Sequence, residues 1–171
     1  MSIKENIKVL APSEFRDLKG IEYFQFEEDF VEANIRCIPM IVRFKMDATG
    51  IKLKLSEWSK FKVEERIKLA LLPCSDEEEM KQYNNYLRSL IKKYTGNEAT
   101  TLAINKDPEW ANTDLVPEIL FNRLKKFNCL LTADKWRSLT DLQRFALLKL
   151  MKEGHENKNF PKAIKEFGLN R

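Results

Sequence analysis

Displaced by 78 positions, the chain matches itself without a gap over 35 residues, 38–72 against 116–150. Seven positions are identical: Pro39 with Pro117, Ile41 with Ile119, Leu53 with Leu131, Trp58 with Trp136, Arg66 with Arg144, Leu69 with Leu147 and Leu72 with Leu150. Conservative pairs such as Lys45 with Arg123 and Met46 with Leu124 fill in between. Two generic helices share an apolar period readily, but their prolines and tryptophans seldom fall in one register as well. The match predicts a duplicated unit of proline, helix, turn, W-x-x-[FL], and a second helix carrying [EQ]-R-[IF]-x-L-x-x-L. Pro39 and Pro117 suit helix starts, where a missing N–H is not needed. Trp58 and Trp136 would each anchor the joint between a unit's helices.

The remaining punctuation is helical too. Ser75 opens a capping box, Met80, Tyr83, Leu87, Leu90, Ile91 and Tyr94 follow at steps of three and four, and Gly96 supplies a left-handed stop, so a helix is expected over 76–95. Its acidic run 76–79 suits a helix N-terminus, and Glu27-Glu28-Asp29 suggests the same. Thr140 to Gln143 forms a second box, whose helix should run to Gly154. Further helices are expected over 27–35, from Pro39 to Gly50, a turn at Trp58, over 63–72, from about 116, and from Pro161 to Gly168. Ile51, Leu53 and Leu55 alternate with lysines and allow one short extended segment. The expectation is all-α: a compact bundle of about six to eight helices with at most short extended segments. With 171 residues, a weakly patterned arm at 1–20 precedes a single domain over 21–171, built from units of about 22–96 and 114–169 joined by a crossing loop at 97–113.

Chemistry is harder to find. A net charge of +4, dispersed along the chain, is mild for a nucleic-acid module. No apolar run is long enough to span a membrane, and the N-terminal residues lack a signal core, so a cytoplasmic protein is expected. The three cysteines, Cys37, Cys74 and Cys129, form no C-x-x-C pair, and with one histidine no metal site is expected. That histidine, His155, sits in the polar string Gly154-His155-Glu156-Asn157-Lys158-Asn159, which suits either a partner or anion contact or a capped turn. On their helical wheels Arg66 and Arg144 point into apolar arcs, where a guanidinium needs a carboxylate, backbone carbonyls or an anionic ligand. No catalytic set stands out, which favours binding over catalysis.

Several strings together resemble a known family. They are Phe24-Gln25-Phe26-Glu27-Glu28-Asp29-Phe30-Val31, Arg36-Cys37-Ile38-Pro39-Met40, Gly50 through Trp58, Leu72-Pro73-Cys74, Gln143 through Leu147, Gly154 through Phe160, and Lys165 through Leu169. Over about 22–169 the chain resembles the nitrate reductase-associated protein family, the NarM type best known from cyanobacteria. The resemblance implies an accessory protein needed for maturation or activation of assimilatory molybdenum nitrate reductase, with that reductase or other molybdenum-cofactor enzymes as partners. It brings no catalytic residues. Cys37 and Cys74 match its positions and are candidate thiols, whereas Thr49 stands where many members carry a cysteine. Molybdopterin is anionic, so Arg36, Arg66, Arg144 and Lys158 are candidates for a transient contact, with His155, Asn157 and Asn159 beside them. No resident cofactor is implied. The alternatives are a small enzyme acting through Cys37 or His155 and, against the mild charge, a nucleic-acid-binding regulator.

Overall fold

The computed structural model describes residues 14–27, 37–152 and 158–170. Among these, eight α-helices and a two-stranded antiparallel sheet form the fold. The helices are α1 (Met40–Thr49), α2 (Leu55–Trp58), α3 (Val63–Leu71), α4 (Glu77–Thr95), α5 (Glu118–Lys125), α6 (Ala133–Ser138), α7 (Asp141–Leu150) and α8 (Phe160–Glu166). The strands are β1 (Ile51–Lys52) and β2 (Thr100–Thr101), with Ile51 opposite Thr101. Short 3-10 turns lie at Gln25–Glu27 and Glu109–Ala111.

The ends of these helices are set by local chemistry. Thr140 accepts from the N–H of Gln143 at 3.1 Å, and the Gln143 side chain accepts from the N–H of Thr140 at 2.9 Å, a reciprocal cap. At α4 the cap falls one residue later than the sequence suggests. Asp76 accepts from the N–H of Glu79 at 2.8 Å, while the Glu79 carboxylate reaches back to the N–H of Ser75 at 2.7 Å. Gly96 ends α4 with φ of +73°, as expected. Helix α7 stops at Leu150, short of Gly154, which lies outside the described residues. Most of the helix expected over 27–35 also lies outside them.

Two cores result. One gathers Val42, Met46, Trp58, Leu69, Tyr83, Leu87 and Ile91, and the other Leu120, Leu124, Trp136, Phe145, Leu147, Phe160 and Ile164. Helix α1 serves both: Val42 and Met46 enter the first, Met40 enters the second, and Ile41 packs against each. Phe44 of α1 meets Phe145 of α7 edge-on, centroids 5.2 Å apart, and Asp47 pairs with Lys149 at 2.7 Å beside them. Residues 14–20, assigned to an arm from sequence, pack against the first core: Phe15 is fully buried and stacks on Trp58. Two apolar residues in a short turn are too few to show a period.

Positions 78 apart behave alike at many points. Pro39 and Pro117 each precede their helix at the N-cap, and Trp58 and Trp136 are both buried. Gly50, with φ of +69°, corresponds to Asn128, the one non-glycine with positive φ among the described residues. The crossing segment departs from expectation. It supplies β2, the partner of β1, and the N–H of Leu102 donates to the carbonyl of Gly50 at 2.7 Å.

Candidate functional site

Arg66 and Arg144 hold matching places. The Arg66 guanidinium lies 5.8 Å from the ring of Trp58, and that of Arg144 lies 5.8 Å from the ring of Trp136. Arg66 makes a two-pronged contact with the Glu14 carboxylate at 2.6 and 3.0 Å and donates to the carbonyl of Phe61 at 2.6 Å. Arg144 donates to the carbonyls of Trp110, at 2.8 Å, and Leu139, and pairs with Asp141. Of the three kinds of acceptor a buried arginine can use, the structure supplies carboxylates and carbonyls. Arg66 thus joins α3 to Glu14, and Arg144 joins α7 to the crossing segment at Trp110.

The other sequence candidates are spread apart. Arg36, His155 and Asn157 lie outside the described residues. Lys158 is exposed. Asn159 is buried, and its side-chain oxygen accepts no hydrogen bond among the described residues. Cys37 is half-buried and lines a hollow of about 440 Å³ with Arg43, Lys52 and Lys149. Cys74 is half-buried elsewhere, and burial pushes its thiol up to about 11, partly opposed by Lys45. A thiol held there stays protonated near neutrality and is a weak nucleophile. Among the described residues, no group of three or more His, Cys, Asp or Glu side chains is placed to hold a metal. No helix there is long and apolar enough to cross a membrane.

Sequence reasoning missed two buried charges. Lys45 is buried, and its ammonium donates to the carbonyls of Ala70 and Leu72, both at 2.6 Å, closing the C-terminus of α3. Its spacing as one more helical lysine gave no hint. Glu27, in an acidic run read from the sequence as charge at a helix N-terminus, is only 4% exposed. Its carboxylate accepts from the N–H of Phe24 at 3.0 Å and from that of Met40, the first residue of α1, at 2.5 Å. Burial pushes it up to about 7, against the pull of those two N–H groups and of Arg43.

Exposed apolar side chains lie along the crossing segment. That segment is pinned near one end by Arg88, which donates to Thr101 Oγ1 at 2.9 Å, and near the other by Trp136, whose indole N–H donates to the carbonyl of Asn112 at 2.8 Å. Between and beyond the pins, Leu102, Ile104, Leu115 and Ile119 are exposed. Leu102 and Ile119 line a hollow of about 560 Å³, and Leu115 and Ile119 line an adjoining one of about 660 Å³; the two share Glu109 and Ile119.

The described chain is a helical protein whose buried arginines are engaged internally and whose crossing segment is bordered by exposed apolar side chains. Residues 23–167 match the family described as conserved nitrate reductase-associated protein, and the chain belongs to that family. No curated protein and no solved structure matches it.

Proposed function

We propose that this chain is a non-catalytic, cytoplasmic accessory protein that binds nitrate reductase and helps to mature or activate the molybdenum enzyme. It acts on the apo-enzyme or on the machinery that loads the molybdenum cofactor. The observation that carries this reading is the family match over 23–167. The uncovered apolar surface along the crossing segment supports a binding role. A transient contact with the molybdopterin phosphate belongs to the same proposal. Among the described candidates Lys158 is the exposed cation for it, since Arg66 and Arg144 face acceptors of the chain itself. The proposal also takes the molecule as a duplicated unit, supported by the paired prolines, tryptophans and arginines at the 78-residue offset.

Gentle isolation of the tagged chain from its own nitrate-grown cells, with mass spectrometry of bound proteins and pterin, tests the reading. Recovery of nitrate reductase or a molybdenum-cofactor enzyme is the expected result. Abundant bait carrying neither would overturn it. Titration with protected cofactor that yields no heat would remove the pterin contact and leave the protein-binding role standing.

A further inference from the structure

The hollow of about 660 Å³ lies between the crossing segment and α5, and Leu115, Pro117 and Ile119 form its apolar lining. Leu115 at 67% and Ile119 at 64% are the most exposed large hydrophobic residues among those described. The charged residues in its lining are two carboxylates, Glu109 and Glu118, with no cation. Neither carboxylate makes an ion pair among the described residues. Ile41, which stands 78 positions before Ile119, is partly buried and packs against both cores. Phe44, 78 positions before Asn122, packs against Phe145 and Trp110. The part of α5 around Ile119 and Asn122, which corresponds by position to the joint-forming face of α1, is exposed.

We propose that this exposed face of α5 takes a segment of the partner protein that presents apolar side chains and, against Glu109 and Glu118, an arginine or lysine. The proposal rests on the reading of the chain as a protein-binding accessory and names the chemistry of what it binds. Apolar contact with Leu115 and Ile119 supplies the burial, and the paired carboxylates select the sign of charge. A second copy of this chain fits poorly, because a twofold contact through this face would bring its own carboxylates together. An anionic lipid surface is repelled for the same reason.

The test uses two fluorescent peptides of about 12 residues with leucine at alternate positions, one ending in two arginines and the other in two glutamates, titrated against the whole chain. The arginine peptide is expected to bind about tenfold more tightly or better, a preference that Glu109→Gln with Glu118→Gln reduces to about threefold or less. Ile119→Ser, at an exposed position, is expected to weaken both peptides. Absence of saturable binding of the arginine peptide up to about 1 mM, or an undiminished preference in the double glutamine variant, overturns the proposal. Because neither peptide is the reductase, the two readings fail separately. Recovery of the reductase without the peptide preference removes this assignment alone, and the preference without reductase removes the accessory role alone.

Discussion

Arg144 shows how much one buried side chain can hold. It ties the first turn of α7, through Asp141, to the end of α6 at Leu139 and to the crossing segment at Trp110. Arg144→Ala leaves those carbonyls without a donor in a closed interior and should cost about 3 kcal/mol in urea unfolding. Arg144→Lys keeps the charge but not the planar fork, and should recover only part of the loss. Glu27 makes a prediction of a different kind. Its carboxyl titrates near 7 in the folded chain, above the ordinary 4.5, with Arg43 and Glu166 as the charges that act on it. Folding therefore takes up a proton between those two values. The stability this group contributes is fully present below about 4.5 and is lost as pH rises through about 7, on the order of 3 kcal/mol in all. Unfolding curves at a series of pH values should show that decline, and Glu27→Gln should flatten it. The residue was visible in the sequence only as one of three consecutive acids, because its burial depends on a backbone N–H thirteen residues away.

At the scale of elements, the boundary between α1 and β1 is the most demanding point. Gly50 has φ of +69°, and a Cβ there would stand 2.7 Å from the carbonyl oxygen of Leu102. Gly96, with φ of +73°, has open space around it. Gly96→Ala should therefore cost about 1 kcal/mol for backbone conformation alone, and Gly50→Ala about 2 kcal/mol or more, since a paired strand cannot step aside. Thermal or urea unfolding of the two variants separates the effects. The same boundary shows where sequence reading stops. Caps and periods are local, so the ends of α1, α4, α7 and α8 were legible from Pro39, Gly96, Thr140 and Pro161. The extended segment at Ile51 was legible from its alternation, but its partner was not. Thr100–Thr101 carries no pattern of its own, and pairing across almost fifty residues is decided by packing. The exposed face of α5 was hidden for a related reason. Ile119 matches Ile41 residue for residue, and nothing in the letters says that one is exposed and the other partly buried.

For the whole molecule, the sharing of α1 between two cores governs cooperativity. Trp58 reports on one core and Trp136 on the other. Because neither core closes without α1, urea unfolding followed through each of these two tryptophans, with the other and the third tryptophan, Trp110, replaced by phenylalanine, should give coincident midpoints. Separate midpoints would show that the two cores melt independently. The same arrangement decides where the backbone tolerates a cut. Residues 103–107 are exposed and lie between the two pins of the crossing segment. A protease nick there leaves the buried contacts in place. Two fragments divided at that point and produced together should therefore reassemble into one particle on a sizing column. Either fragment produced alone carries half of an unfinished joint and should be degraded.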